Sequence, residues 1–371
     1  MIAAPYVTFV TYARNDGYTP GYIQRVRRAM QCLAGQLDRA GVDAEIIITE
    51  WNPPPDRPHI LEVVNLPKAL KHVSIWGVIV GAEHHAGFAG AAERGFHAGE
   101  AANIGLRRAR GRFVVPKSSD TFLSAQTIER IARRDLDVDT MYRVCRHDVT
   151  ITDEHIWGLD DEALLAAFAT LPSSINAMIT QPAEWDIRDL HTNACGDFML
   201  MSGAYWHYLR GYPRDPSVLV LDGDSLIMHA AAALGVRECR WPDDCRIYKP
   251  SHGNLANERV KQVWRRWQRW LDRILSEKVD AQAAYWARKS FNYPRREVRG
   301  VESVLGPSIE RNFVVPATRW AHGTMPEQTQ PANWGLAEVP LERRVLCRAE
   351  WDAALAFDGP GSAGLQGAAS S

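Results

Sequence analysis

The chain has 371 residues, 46% of them hydrophobic and 23% charged, with a formal net charge of −1. This composition is typical of a folded globular protein of about two to three domains, or of one large domain with an extension, and it excludes a disordered, collagenous or coiled-coil chain. The near-neutral charge gives no global electrostatic argument for binding nucleic acid or an anionic membrane.

The cysteines and the N-terminus indicate a cytoplasmic location. Six cysteines are scattered without a Cys-x-x-Cys pair, which argues against a zinc knuckle or a dense disulfide scaffold and favours a reducing compartment. The first residues lack the basic segment and long apolar run of a signal peptide. No stretch approaches ~18 uninterrupted apolar residues, so we expect no transmembrane segment.

Strand-like and helix-like patterns alternate over the first 120 residues. Apolar and β-branched runs predict strands at 6–11, 44–49, 72–76 and 112–116, and helical spacing predicts helices at 20–40 and 100–110. This rhythm predicts βαβ units and a mostly parallel sheet, an α/β fold. Ligands of such sheets bind beyond the carboxyl ends of the strands, which here are the turns at 11–17, 50–55 and 117–121.

The rest of the chain divides into two further parts. A strand is expected at 198–202 and a helix at 224–234, capped by Gly235. Residues 257–300 hold 12 Lys or Arg against 5 Asp or Glu, with tryptophans interleaved. We therefore expect an α/β domain over 1–255, a helical, basic and Trp-rich extension over 256–350, and a disordered tail over 351–371.

The sequence has no P-loop, GxGxxG, HExxH or GxSxG motif. Its candidate functional residues are instead acidic residues at the ends of predicted strands. Glu50 follows the second strand, Asp120 follows the fourth, and Asp222 and Asp224 come just before or at the start of a helix. One such acid is usually a helix cap or a solvated turn. Several in a fixed order favour a functional site.

A collinear series of segments resembles the GT-A-type glycosyltransferases, close to the bacterial family-two-like group. The matching segments are 7–11, 50–54, 103–113, 118–120, 196–201, 206, 210–213 and 222–226. The resemblance covers roughly residues 5 to 255. It implies a GT-A-type nucleotide-sugar-binding fold and a nucleoside-diphosphate-sugar donor, with UDP preferred. It leaves the acceptor open among a glycan, a lipid-linked molecule and a modified nucleic acid, and it leaves the oligomeric state open, a homo-oligomer included.

The resemblance also implies which residues hold the donor and a metal. The donor-nucleotide positions are matched by Thr11, Arg14, Glu50, Asn103, Arg107, Ser119 and Asp120. Glu50 would accept hydrogen bonds from the base, and Arg107 would pair with a phosphate, although a solvated helix face explains that arginine equally well. A divalent cation, Mn²⁺ or Mg²⁺, would bind Asp120 and His252. The family's Asp-x-Asp element reads Ser118-Ser119-Asp120 here, so a metal-independent variant with Lys249 facing the diphosphate stays open.

For catalysis, the resemblance places a general base at Asp224, at the start of a helix that ends in glycine. Its carboxylate would take the proton of the acceptor hydroxyl as that oxygen attacks the anomeric carbon, giving inversion. Asp222 would orient the acceptor or cap the helix, and Asp197 would bind sugar or acceptor hydroxyls. Trp51 and Trp206 would stack on sugar faces.

Two other classes of function stay open at the level of sequence. A nucleotidyltransferase would need a glycine-rich phosphate loop, and residues 12–17 are not one. A catalytically weak protein that binds nucleic acid or a membrane is motivated by residues 257–300, where Trp264, Trp267 and Trp270 recur among arginines. The same tryptophans suit a packing stripe. A hybrid, a transferase acting on a modified nucleic acid, would combine both.

Overall fold

The computed structural model describes residues 4–67, 70–88, 91–92, 95–176, 190, 195–213, 223–250 and 330–352. Asp222, His252, the basic and Trp-rich residues 257–300 and the tail beyond residue 352 lie outside these ranges, so the expectations for them stay predictions. In the described part of the chain, no helix is long and apolar enough to cross a membrane.

Twelve strands and eight α-helices are found in the described residues. The strands are β1 (Val7–Ala13), β2 (Ala44–Trp51), β3 (Val73–Val80), β4 (Phe113–Pro116), β5 (Phe122–Leu123), β6 (Thr140–Arg143), β7 (Cys145–Val149), β8 (Ser173–Asn176), β9 (Met201–Ser202), β10 (Arg237–Arg240), β11 (Arg246–Pro250) and β12 (Glu342–Cys347). The helices are α1 (Tyr22–Arg39), α2 (Ile60–Val63), α3 (Ala82–His85), α4 (Ala98–Arg108), α5 (Ala125–Ala132), α6 (Asp161–Thr170), α7 (Gly203–Leu209) and α8 (Gly223–Ala233). Short 3₁₀ helices lie at Glu154–Gly158, Cys195–Asp197, Trp334–Leu336 and Glu350–Asp352.

The central sheet has the strand order β12-β3-β2-β1-β4-β9. Its four inner strands run parallel, and the two edge strands β12 and β9 are antiparallel to their neighbours. This arrangement confirms the predicted α/β class with a mainly parallel sheet flanked by helices, and it is consistent with the GT-A-type fold that the resemblance implies. The predicted strands and helices of the first 120 residues are also confirmed. The strand expected at 198–202 is shorter, since only Met201–Ser202 pairs within the sheet.

Helices cover both faces of the sheet, which explains why its strands are almost continuously apolar. On one face, α1 packs its buried side chains against β1 and β2. On the other face, α4 approaches β1 so closely that a Cβ on Gly105 would lie 2.4 Å from Val10 Cγ1. Glycine at that position therefore allows the helix to lie directly on the sheet.

The sheet has a topological switch point between β1 and β4. The chain runs from β1 through α1 to β2 and β3 on one side, whereas β4 lies on the other side of β1. In open parallel sheets, the connections at such a point leave toward opposite faces, and the crevice outside the carboxyl ends of the two strands is where ligands bind.

A second sheet, β5-β11-β7-β8, lies beside this crevice. Its two central strands, β7 and β11, run parallel, with Lys249 opposite Asp148. Arg146, the second residue of β7, and Lys249 of β11 are the two basic side chains that the second sheet contributes to the region next to β4.

The described C-terminal segment, 330–352, completes the central sheet. Its strand β12 pairs antiparallel with β3, whereas a helical extension was expected over 256–350. The physical reason is that β3 would otherwise present a row of unpaired backbone groups at the sheet edge, and β12 satisfies them with backbone hydrogen bonds.

Candidate functional site

Three carboxylates act electrostatically on Tyr12 near the carboxyl ends of β1 and β4, and we call Asp120, Asp197 and Asp224 the carboxylate cluster. Burial raises the pKa of the Tyr12 hydroxyl, and the negative charges of Asp197, Asp224 and Asp120 raise it further. Tyr12 is therefore a neutral hydrogen-bond donor at physiological pH. Asp120, Asp197 and Asp224 come from separate parts of the chain, and the switch point of the sheet brings them together.

Asp197 is the most strongly held member of the cluster. It is 4% exposed, and its carboxylate accepts hydrogen bonds from Ser118 Oγ at 2.5 Å, Arg146 Nη1 at 2.5 Å and Lys249 Nζ at 3.3 Å. Burial alone would raise the pKa of Asp197, but Lys249, Arg146 and Ser118 outweigh it and hold that pKa well below its usual range. Asp197 is thus a permanent anion, not a general base.

Asp224 lies in the first turn of α8, and its carboxylate approaches the backbone at Gly196. A Cβ at Gly196 would lie 2.8 Å from Asp224 Oδ2, closer than real side chains come. A glycine before Asp197 therefore makes room for the Asp224 carboxylate beside the Asp197 segment. Asp224, the predicted general base, therefore lies next to the segment that carries Asp197.

The turn after β4 adds a buried ammonium and a third carboxylate. The Lys117 side chain has no solvent exposure, and its Nζ donates to the Ser118 carbonyl at 2.7 Å. Burial lowers the pKa of Lys117 to about 8, although Asp120 and Asp197 oppose this shift. Asp120 is 4% exposed and lies 3.5 Å from Arg25 Nε.

The described donors do not fit a divalent cation. Mg²⁺ and Mn²⁺ prefer several carboxylate or carbonyl oxygens, and in the described part of the chain no three His, Cys, Asp or Glu side chains are grouped to hold a metal. Asp120 faces Arg25, and both Asp197 oxygens accept from cationic donors. His252, the other predicted ligand, lies outside the described residues.

Both tryptophans predicted to stack on sugar faces are fully buried, and that expectation is corrected. Trp51 lies under α4, where its Nε1 donates to His85 Nδ1 at 3.0 Å. Trp206 packs in the core cluster around α8 and donates to the Val114 carbonyl at 3.3 Å. Neither ring offers a face to a ligand.

Two predicted donor-binding residues on α4 instead bind other parts of the chain. The Asn103 amide forms two hydrogen bonds with the Tyr212 backbone, at 3.0 Å and 2.7 Å. The Arg107 guanidinium donates to the Ala332 carbonyl at 3.2 Å and lies 5.2 Å from the centroid of the Trp334 ring. These contacts secure the loop after α7 and the C-terminal segment, so the expectation that both residues face the donor is corrected.

The predicted nucleotide residues at the ends of β1 and β2 lie at the expected edge, but with partners from the chain itself. Glu50 is fully buried and accepts from the Ile60 backbone N–H at 2.7 Å and from His59 Nδ1 at 2.9 Å. Burial raises the pKa of this carboxyl, against the effect of those partners. Because both oxygens are engaged, Glu50 anchors the start of α2 and does not present a carboxylate to a base.

The structure also describes the three remaining residues that were predicted to contact the donor nucleotide, Arg14, Ser119 and Thr11. Arg14 Nε donates to the Asn52 carbonyl at 2.7 Å, linking the turns after β1 and β2. Ser119 Oγ is 2.8 Å from the Tyr22 hydroxyl. The Thr11 hydroxyl is buried at the end of β1 with no hydrogen-bond partner among the described residues, an unusual condition for a buried polar group.

Sequence reasoning missed Lys117, Arg146, Tyr12 and Gly196 as members of the site. Lys117 directly precedes the Ser118-Ser119-Asp120 element, and Gly196 directly precedes Asp197, so their neighbours in the chain were a usable signal. Arg146 belongs to a strand of the second sheet and matches no motif. Only its position beside Asp197 reveals it.

The fold and the site together define an α/β protein with a charged polar site at the switch point of its sheet. No protein-family model matches the sequence, and no curated protein matches it. Similar solved structures include three of S. aureus TarS, residues 1–349. The structure of TarS 1–349 and its complex with UDP each share 13% identity with this chain, with 87% of this chain and 82% of the other covered and a TM-score of 0.45. The complex with UDP-GlcNAc shares 14% identity over 82% of this chain and 80% of that one, with a TM-score of 0.47.

Proposed function

We propose that this chain is a glycosyltransferase that moves a sugar from a nucleoside-diphosphate sugar, with UDP preferred, to an acceptor hydroxyl with inversion. The observation that carries the proposal is the meeting of Asp224, Asp197 and Tyr12 with Lys249 and Arg146 at the switch-point crevice. A transferase of this kind needs one carboxylate that accepts a proton and cationic groups that face a leaving phosphate. The crevice contains both.

Asp224 has the role of general base in this proposal. The acceptor oxygen forms a bond to the anomeric carbon while the bond from that carbon to the diphosphate oxygen breaks. The electron pair of the broken bond goes to the diphosphate, and the acceptor proton goes to the Asp224 carboxylate. Asp197 cannot act as the general base in place of Asp224, because its cationic partners keep the pKa of Asp197 far below that of a useful base.

The nucleotide end of the donor would lie over the carboxyl ends of β1 and β2. This placement follows from the crevice at the carboxyl ends of the strands around the switch point. Arg14 lies in the turn that follows β1 and keeps one-fifth of its side-chain surface exposed. Asn103, Arg107 and Glu50 have no part in this proposal, since their polar groups bind the chain itself.

The test of the donor class is a thermal-shift panel of UDP, GDP, CDP, dTDP and ADP with the full chain. One nucleoside diphosphate should raise the melting temperature more than the others, and Thr11→Val should weaken that shift. Thr170→Val is a matched control, since Thr170 is exposed at the C-terminal end of α6. A panel without any shift would contradict the donor class.

The role of Asp224 is tested separately. Asp224→Asn should lose transfer or donor hydrolysis while retaining nucleotide binding, because only the proton acceptor is removed. Asp135→Asn is the control: Asp135 is half exposed, and its neighbour Leu136 binds Tyr6 just before β1, at the opposite edge of the sheet. Full activity in Asp224→Asn would remove Asp224 from the mechanism.

A further inference from the structure

The cationic side of the site comes from the second sheet and is organised by Asp197. Lys249 Nζ and Arg146 Nη1 both bind the Asp197 carboxylate, at 3.3 Å and 2.5 Å. Their side chains keep 27% and 21% of their surface exposed, whereas Asp197 keeps only 6%. The carboxylate is thus enclosed, and the two cations that it holds are partly exposed. Arg146 also donates to the Asp148 carboxylate, from Nη2 at 3.2 Å, so Lys249 is the cation with more donors left for a ligand.

We propose that Lys249 and Arg146 together bind the diphosphate of the donor and stabilise it as it departs, in the place where a divalent cation would otherwise act. This inference rests on the proposed function and names the groups that meet the leaving charge. An ammonium has three N–H donors, and Lys249 uses one of them on Asp197. Charge-assisted hydrogen bonds to phosphate oxygens are among the strongest that a protein offers.

The surroundings of Asp120 disfavour a metal at the same place. Asp120 lies 3.5 Å from Arg25 and acts electrostatically on the buried Lys117 ammonium. To bind Asp120, a divalent cation would have to replace the ion pair between Asp120 and Arg25. The family's first acidic position is Ser118, whose hydroxyl already donates to Asp197.

The same geometry lets the site respond to the departing charge. When the bond from the anomeric carbon to the diphosphate oxygen breaks, the electron pair stays on that oxygen, and the acceptor proton is taken by Asp224. Lys249 and Arg146 then face one more negative charge without changing their own protonation. The 3.3 Å contact of Lys249 with Asp197 is long for a charged pair, so its ammonium can turn toward the phosphate.

The first experiment measures UDP binding to the wild-type chain by calorimetry, once in EDTA and once in MnCl₂. We expect dissociation constants that agree within about twofold, because protein cations and not a metal meet the diphosphate. Binding that requires Mn²⁺ would overturn this inference and leave the proposed function standing. Absence of binding by any nucleoside diphosphate in either buffer would overturn both.

A second experiment separates phosphate binding from a structural role. Lys249→Ala should weaken UDP binding in EDTA by about tenfold or more, the size expected for a lost charged hydrogen bond. It should leave uridine binding unchanged, and Lys249→Arg should recover most of the loss. Lys71→Ala, at an exposed lysine, is the matched control. Equal weakening of UDP and uridine by Lys249→Ala would contradict direct contact with the diphosphate.

Discussion

The exchange of Gly196 for alanine tests the geometry of the proposed active site with a single methyl group. Gly196 has an ordinary backbone conformation, so alanine is compatible with it, but the new Cβ would lie 2.8 Å from Asp224 Oδ2. Ordinary van der Waals contact begins at 3.4 Å. The Asp224 carboxylate must therefore move away from the Asp197 segment, while the chemical groups of the site stay the same.

The required movement sets the size of the effect. A 1 Å misplacement of a reacting group costs about 100-fold in rate, so a displacement of roughly 0.5 Å should lower kcat by roughly tenfold. Binding of the nucleoside diphosphate should change little, since Asp224 acts on the acceptor side. The melting temperature should also stay near that of the wild type, because the end of a side chain yields without a shift of backbone.

The assay is the release of nucleoside diphosphate from its sugar donor, followed together with calorimetric binding of the diphosphate. Gly158→Ala is a matched control, since a Cβ there would meet nothing within 4 Å and the backbone is likewise ordinary. Wild-type turnover in Gly196→Ala would refute the placement of the Asp224 carboxylate. A loss of diphosphate binding equal to the loss of turnover would refute its assignment to proton transfer.

Three further predictions concern stability. Arg110→Met should cost about 3 kcal/mol of unfolding free energy, because Glu45 is fully buried and would lose its ion pair with Arg110; urea unfolding measures the loss. Trp334→Ala should cost a similar amount, about 3 kcal/mol, since the ring is 2% exposed and packs against Arg107; thermal unfolding measures it. Burial lowers the pKa of Lys117 from 10.5 to about 8, so between these values the unfolded chain holds this proton and the folded chain does not, and Lys117 contributes a rise of stability with pH. Buried tyrosines and cysteines with raised pKa values, such as Tyr12 and Cys32, act in the opposite sense, so urea unfolding of the wild type and of Lys117→Met over this pH range isolates the Lys117 contribution.

Each of these stability predictions has an outcome that contradicts it. A neutral Arg110→Met variant would mean that Glu45 finds another cation or takes up a proton. A Trp334→Ala variant as stable as the wild type would mean that the C-terminal segment is not part of the cooperative core. Lys117→Met should lose stability relative to the wild type as the pH rises from 8 to 10.5, and a constant difference between the two proteins would contradict the lowered pKa of Lys117.

The central sheet could be predicted from the sequence because its strands are short runs of buried β-branched and aromatic residues. The runs that became β1 and β2 end in polar or turn-forming residues, so their positions were predicted to within two residues, whereas β3 extends four residues beyond the predicted strand at 72–76. β12 could not be predicted in the same way. It has three charged residues followed by three apolar ones, not the alternating or continuously apolar pattern of a strand, and its partner β3 lies more than 250 residues earlier in the chain.

The candidate site was predicted in part, and the errors share one cause. The resemblance located Asp197 and Asp224, which do meet at the crevice. It also proposed ligand contacts for Trp51, Trp206 and Asn103, which are buried and bonded within the chain. The place of a residue within the matching segments predicts the end of the sheet at which it lies. It does not predict whether the side chain faces the crevice or the core.

The most direct test of the central claim is an NMR time course of the wild-type chain with UDP-sugars. The account predicts release of UDP with the sugar transferred, to an acceptor or to water, in the opposite anomeric configuration from the donor, and no turnover in Asp224→Asn. Transfer with retention would contradict Asp224 as a base that activates the acceptor. No turnover of any UDP-sugar would contradict the proposed transfer from UDP-sugars at this crevice.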